Sequence, residues 1–542
     1  MAAFAGLLLA CAFPTIGLAG LAWVAPAILA GSALGRGGWE RFRIGYVGGL
    51  VFYLVSLCWL LHIPFRWMGV PIGPAAGLLG LSAYMALYPA VWVWLVTSAA
   101  MAGSGAVEMS WRDAAAHLVK QGWLRRAGVA LYAAVAWVGL EMIIARLFTG
   151  FPWDLLGVSQ YQFTPLIQVA AFTGVYGVSF VVIWGSAAIL MAVLVLTQRP
   201  AARSLWAAEL ILPVLAVAGL FTYGMRQVRN AEPPSRTIRV ALLQPAIPQT
   251  LIWDSSKNLE RFREVLRLSE SALTNKPDLL IWPESAVPAL LRQDQDTHDA
   301  ITGLARDHST WMIIGADDFS VKPDAASPRD VHYYNASFLI APDGSILDTY
   351  RKRSLVIFGE YVPLERWLPF LKYVTPIEGG FTPGEQAEPF ELPSLGIVTS
   401  VLICFEDIFP GLAREGAQPD TDFLVNLTNN GWFGESAAQW QHGATAVLRA
   451  VENGIPLVRC SNNGLTCWVD RYGRIRQIFR DASGSEYGKG FLLCDIPVLG
   501  PDELREPTPY HRHGDRFGWA CTLIAALWLP INFRPGGKSP AA

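Results

Sequence analysis

Over its first 226 residues the chain alternates long apolar stretches with short polar loops, and after that its character changes. Apolar runs near 15–31, 44–62, 74–101, 127–146, 165–197 and 205–226 approach or exceed the roughly 17 to 25 residues that a helix needs to cross a bilayer. A last run, Phe517 to Phe533, closes the chain. The opening Met1 to Phe13 is too short to span alone and reads as a truncated or re-entrant helix. It lacks a basic leader, and a second apolar stretch follows at once, which argues against a cleaved signal. The pattern predicts a multi-pass bundle of about eight helices, made of residues 1–226 and a C-terminal helix and tail at 516–542, with one extramembrane domain over 227–515.

Inside 227–515 the periodicity shortens. Thr237 to Leu243 is a β-branched and aliphatic run stopped at Gln244-Pro245, as a buried strand would be. Leu259, Phe262, Leu266 and Leu273 then recur at helical spacing behind Asp254-Ser255-Ser256, which predicts an N-capped amphipathic helix. Asp278 to Trp282 and Trp311 to Ala316 read as further buried strands. Tyr334 to Ala341 and Ser345 to Tyr350 flank Pro342-Asp343-Gly344 as a hairpin. This order predicts an α/β domain of stacked sheets covered by helices.

Composition fits that division, with 52% hydrophobic residues against 16% charged. A net charge of -2 with no basic run excludes a nucleic-acid binder. The seven cysteines include no CxxC pair, and the eight histidines form no ligand spacing, so neither a structural metal nor a dense disulfide framework is implied. Positive charge decides orientation. Arg36, Arg41 and Arg43, then Arg112, Lys120, Arg125 and Arg126, then Arg199 and Arg203, and finally Arg534 and Lys538 all fall on one side of the predicted spans. That side is cytoplasmic by the positive-inside rule, which puts the loops at 63–73 and 147–164 and the large domain outside.

Three segments of the domain carry reactive side chains just past predicted strands: Trp282-Pro283-Glu284-Ser285, Arg351-Lys352-Arg353 and Ile403-Cys404-Phe405-Glu406. Each alone has an ordinary explanation as a turn, a solvated face or a core thiol. A Glu, a Lys and a Cys in that order resemble the nitrilase, or carbon-nitrogen hydrolase, superfamily. The resemblance continues through Gln244 to Gln249 with Trp253, Phe358-Gly359-Glu360-Tyr361-Val362-Pro363, Asn429 to Gly434, Trp440-Gln441-His442, Ser461-Asn462-Asn463-Gly464, Thr508-Pro509-Tyr510 with Arg512 and Gly514-Asp515, and Thr149-Gly150-Phe151-Pro152-Trp153 in an outer loop. Over this whole length the chain is similar to the apolipoprotein N-acyltransferase family.

That resemblance implies an αββα nitrilase-like domain beside the bundle, on the periplasmic face of a bacterial inner membrane. It implies Cys404 as nucleophile, Glu284 as proton acceptor with Trp282 and Pro283 as apolar neighbours, and Lys352 as oxyanion stabiliser with the backbone N–H that follows Cys404. Glu360 would position Lys352, while Glu406, Phe405 and Trp253 would support the nucleophile and the acyl chain. The donor would be a phospholipid, phosphatidylethanolamine above all, and the acceptor the N-terminal amine of a diacylated apolipoprotein. No cofactor is implied. Phe405 and Ile357 depart from the Tyr and Pro that many relatives carry there. A membrane-tethered amidase would use the same three residues, and a transporter or lipid-binding protein would show damage among them, which is absent.

Four smaller expectations follow. Trp367, Leu368, Phe370, Leu371 and Tyr373 form an apolar cluster between Tyr361 and Pro383 suited to a lid at the headgroups, and Trp153 marks the interface in the same way. Glu141, costly in hydrocarbon, is a functional or helix-pairing residue, with Arg146 as a candidate partner. Cys460 and Cys467 flank an Asn463-Gly464 turn that would place them opposite one another as two free buried thiols or, in an oxidising compartment, a disulfide. The acceptor chemistry is plausible because an α-amine titrates near 7.7–8.0, leaving a useful neutral fraction at neutral pH.

Overall fold

The computed structural model describes residues 1–65, 71–199, 205–231, 234–322, 331–364, 367–368, 380–500 and 503–532. The chain forms two compact units. One comprises Met1–Cys58, Leu78–Asn230 and His513–Ala542, the other Trp59–Gly77 and Ala231–Arg512. Trp59–Gly77, expected with residues 1–226, groups with the second unit.

The first unit is helical. Among the described residues four helices are long and apolar enough to cross a membrane: Ile72–Met101, Trp123–Ile144, Val175–Gln198 and Ala208–Arg229. Shorter apolar helices occupy Ala2–Cys11 and Ala19–Ser32, and Gly38–Ser56 and Arg516–Asn532 add further apolar lengths. The run expected at 165–197 is broken. Gly174 adopts φ +68, so two single turns, Thr164–Ile167 and Ala170–Thr173, precede the long helix that starts at Val175. Helices meet through small residues and a few polar ties. Ala130, Ala133, Ala134 and Ala136 are buried on Trp123–Ile144, and Trp92 donates its indole N–H to the Ala133 carbonyl at 2.9 Å.

The paired charges differ from expectation. Arg146 does not meet Glu141; its guanidinium pairs with Asp515 and donates to the Met142 carbonyl at 3.0 Å. Glu141 instead accepts from Trp137 Nε1 at 2.9 Å and from the Leu156 N–H at 2.8 Å, so it ties the loop that follows to its helix. Arg146 lies past the end of helix Trp123–Ile144, where its guanidinium caps the last turn at the Met142 carbonyl. Trp153 is also a correction: it is buried, with its ring stacked on Phe151 at 6.0 Å, and does not mark an exposed interface.

The second unit is a sandwich of two six-stranded sheets. The strands are β1 (Arg236–Gln244), β2 (Leu279–Ile281), β3 (Trp311–Val321), β4 (Val331–Ile340), β5 (Ile346–Arg351), β6 (Pro389–Leu392), β7 (Ile397–Ile403), β8 (Phe423–Thr428), β9 (Leu457–Ser461), β10 (Cys467–Val469), β11 (Ile475–Ile478) and β12 (Gly490–Val498). The sheets run β12-β1-β2-β3-β4-β5 and β11-β10-β9-β8-β7-β6, with β1-β2-β3 and β7-β8-β9 parallel at their centres. Alternation sorts the side chains. Val240, Leu242, Ile281 and Ile313 face Val401, Ile403, Val425 and Leu427 between the sheets, while Ala241, Leu243, Leu280 and Ile314 face the helices. Helix Asn258–Leu273 buries Phe262, Val265 and Leu268 there; Leu259, expected on the same face, is exposed. Helices Pro410–Gly416 and Ala437–Asn453 pack on the second sheet, completing the αββα order.

The β9–β10 register sets Cys467 opposite Arg459, not Cys460. A one-residue offset sends the two thiols to opposite faces. Both are free, and Cys460 lies between the sheets, donating to the carbonyls of Leu243 and Ile281.

Candidate active site

Parallel strands end together, and three of their C-terminal ends deliver the chemistry. Glu284 follows β2, Lys352 follows β5, and Cys404 follows β7. The backbone past β2 crosses β3 so closely that a Cβ on Gly315 would stand 2.4 Å from the Pro283 carbonyl oxygen and 2.7 Å from Glu284 Cα. Glycine there lets Glu284 turn into the site. Trp282 points the other way, buried on the helix side of the sheet. The apolar neighbours expected around Glu284 therefore do not surround its carboxylate.

Amide and ammonium donors do. Glu284 Oε1 accepts from Asn335 Nδ2 at 2.8 Å and lies 3.4 Å from Lys352 Nζ, while Oε2 accepts the Asn429 N–H at 2.8 Å. Glu360 Oε1 lies 2.8 Å from Lys352 Nζ and accepts the same Asn335 Nδ2 at 2.8 Å; its Oε2 accepts the Val356 N–H at 2.8 Å. Lys352 is 1% exposed. Burial alone would lower its pKa, but the carboxylates of Glu360 and Glu284 outweigh that and hold it well above its ordinary value.

Cys404 occupies the left-handed region at φ +51, a conformation that a non-glycine residue adopts only when its surroundings enforce it. The thiol is pushed up to about 12, first by burial and next by the charge of Glu284, against opposing effects of Lys352 and a hydrogen bond with the Thr428 hydroxyl. It rests protonated at neutral pH, so a base must take its proton as it reacts. Its backbone carbonyl accepts from Asn426 Nδ2 at 3.0 Å and faces His442 Nε2 at 3.1 Å.

Glu406 is fully buried and does not touch the thiol. It accepts the Ile403 N–H at 2.7 Å, the Tyr350 hydroxyl at 2.8 Å and the N–H groups of Arg353 and Ser354 at 2.6 and 3.1 Å. It thus clamps the Cys404 turn to the segment that carries Lys352. Phe405 packs edge-on against Phe409 at 5.3 Å. Trp253 is 41% exposed and meets Trp432 edge-on at 5.1 Å. Trp367 and Leu368 are exposed, while Phe370, Leu371 and Tyr373 of the expected lid lie outside the described residues.

Several site residues had no expected role: Asn335, Asn426, Asp407 and Arg459, and Asn429 and His442 beyond their places in motifs. Asp317 belongs with them. It is the register partner of Asn335, and its carboxyl is pushed up to about 7 by burial and by the charges of Glu284 and Glu360, against Arg261. A polar residue inside an otherwise apolar strand was the available signal. The segment Trp59–Gly77 of the same unit also reaches this region. Trp59 donates to Gln441 Oε1 at 2.9 Å and packs edge-on against Phe433 at 4.5 Å.

The carbon-nitrogen hydrolase family matches residues 239–493, and the apolipoprotein N-acyltransferase N-terminal domain matches residues 5–188. The chain is 35% identical to the apolipoprotein N-acyltransferase of Geobacter metallireducens, over 98% of this chain and 95% of that protein. It is 31% identical to that of Rhizobium rhizogenes, over 84% and 81%, and 31% identical to that of Haemophilus influenzae, over 79% and 76%. Among solved structures, a mutant of a Nesterenkonia AN1 amidase from the nitrilase superfamily matches 49% of this chain and 92% of its own, with 21% identity and a TM-score of 0.36. By its identity and coverage along nearly the whole of both sequences, the chain belongs to the apolipoprotein N-acyltransferase family.

Proposed function

We propose that this protein transfers an acyl chain from a phospholipid, through a thioester on Cys404, to the N-terminal amine of a diacylglyceryl-cysteine on an apolipoprotein. The observation that carries the reading is one carboxylate, Glu284, held by Asn335 and Asn429 beside a protonated, half-buried thiol and a fixed ammonium. Glu284 takes the thiol proton as sulfur attacks the ester carbonyl. Lys352, with the N–H that follows Cys404, stabilises the oxyanion. Glu284 then returns the proton to the departing lysophospholipid. In the second half the amine attacks the thioester, Glu284 accepts its proton, and the thiol is restored.

Phosphatidylethanolamine is the proposed donor, and the proposed location is the inner membrane of a bacterium with the sandwich on the periplasmic side. Supporting this are the clustering of Arg and Lys in loops of one side and the four helices long enough to span. The test incubates the purified chain with phosphatidylethanolamine and a diacylated lipopeptide. The expected result is a lipopeptide heavier by one acyl group, lost in Cys404→Ser and Glu284→Gln. Free fatty acid released at the same rate with or without lipopeptide would instead mark a hydrolase.

A further inference from the structure

Beneath the Cys404 turn lies a closed set of polar groups drawn from four elements: Asp407 in the turn Cys404–Ile408, Asn426 on β8, His442 on helix Ala437–Asn453, and Arg459 on β9. None is more than 1% exposed. Arg459 Nη1 donates to Asp407 Oδ2 and to Asn426 Oδ1, both at 2.9 Å, and its Nη2 lies 2.8 Å from Nδ1 of His442.

Those neighbours fix the state of the histidine. Nδ1 of His442 also lies 3.3 Å from Asn430 Oδ1, but the shorter Arg459 contact comes from a guanidinium, which can only donate, so Nδ1 is the acceptor and the ring proton sits on Nε2. That nitrogen faces Asp407 Oδ1 at 2.6 Å and the Cys404 carbonyl at 3.1 Å. Burial first, and the Arg459 charge next, hold the imidazole below its ordinary pKa, consistent with a neutral ring. The single Nε2–H of His442 is thus shared between Asp407 Oδ1 and the Cys404 carbonyl, and that carbonyl also accepts from Nδ2–H of Asn426.

A trans peptide points its C=O and N–H in opposite directions, so holding the oxygen aims the nitrogen. We propose that His442, together with Asn426, is a positioning residue for the acyl transfer: by holding the Cys404 carbonyl it aims the Cys404–Phe405 peptide N–H at the oxygen of the reacting carbonyl. This rests on the reading of Cys404 as nucleophile. Two further features fit the role. The left-handed backbone of Cys404 needs external support, which the donors supply, and a carbonyl polarised by hydrogen bonds makes the N–H of the same peptide a better donor. Asp407 shares the Nε2 proton, and Arg459 fixes the tautomer while also donating to Asp407 and Asn426, which holds both donors of the Cys404 carbonyl in place.

The test uses the full chain in detergent and compares two reactions of one thiol. Acylation by phospholipid passes through an oxyanion; alkylation by iodoacetamide does not. His442→Ala is expected to slow Cys404 acylation about 10- to 100-fold, since removing one oxyanion donor outright costs about 10²–10³. Alkylation should stay within about threefold of wild type, and donor KM should not move. His442→Gln, whose amide N–H can stand in for Nε2–H, should recover most of the acylation rate. Asn426→Leu should reproduce the same split and serves as well if His442→Ala does not fold. Acylation and alkylation falling together in both variants, or neither falling, overturns the proposal. A wild-type chain that alkylates at Cys404 yet never acylates overturns the nucleophile reading itself.

Discussion

Lys352 stands nearer to Glu360 than to Glu284, at 2.8 Å against 3.4 Å. In the proposed mechanism its charge is anchored by Glu360, which leaves Glu284 to take up and return the proton. Glu360→Gln removes the anchor and makes Glu284 the nearest anion. The ion pair then tightens on the base. We expect kcat to fall about 10²-fold with donor KM nearly unchanged, an effect of the size typical for one general-base function. Stability should drop by about 2 kcal/mol, less than the about 3–5 kcal/mol of a buried ion left with no partner. Steady-state kinetics and thermal unfolding check both.

The Cys404 thiol, raised to about 12 by burial and by Glu284, ionises only in strong alkali. At pH 9 only about one thousandth should be thiolate, given a shift of this size from the ordinary value of about 8.5. Ultraviolet titration of wild type against Cys404→Ala should therefore show no thiolate step between neutral pH and pH 9. In Glu284→Gln the opposing negative charge is gone, so the thiol pKa should fall while acyl transfer is lost. A step near neutral pH in the wild type would contradict this.

Asn335 bridges the two glutamates with one nitrogen, 2.8 Å from each. Asn335→Leu leaves both carboxylates short of a donor in a buried site. The expected cost is about 1–3 kcal/mol of stability, from unsatisfied buried acceptors. Acylation should slow by about tenfold or more as Glu284 loses its orientation. Unfolding midpoints and single-turnover acylation measure the two effects separately.

Asp317 supplies a pH signature. Its folded pKa of about 7 lies above the usual carboxylate range, so the folded state binds more protons than the unfolded chain between the two values. Stability from this group is fully present at acid pH and is lost as pH rises toward 7. Asp317→Asn removes that loss. The variant should match wild type near pH 4, gain on it up to pH 7, and stay ahead by a constant margin above. Chemical unfolding across that range checks the sign.

The parts of the fold written in local periodicity were legible in the sequence. β1, β2 and the hairpin of β4 and β5 follow from apolar runs and turn residues, whereas Glu284, Lys352 and Cys404 stand out as candidates only through the family resemblance that their order carries. What sequence could not carry is set by register and by partners distant along the chain. A one-residue register offset separates Cys460 from Cys467, and Asp515 rather than Glu141 claims Arg146. Hydropathy does not show where a long apolar run breaks, as at Gly174, or that Trp153 turns inward. The donors around Glu284 come from β4 and from the loop after β8, so no local motif could bring them together.

The most direct test of the central assignment follows one sulfur through a turnover. Intact and peptide mass spectrometry of the purified chain, mixed with phosphatidylethanolamine alone, should find one acyl group on Cys404. Adding a diacylated lipopeptide should discharge that label and move it, as an amide, to the N-terminal amine. An acyl group that forms on another residue, or a Cys404 label lost to water as fast without lipopeptide as with it, would contradict the assignment.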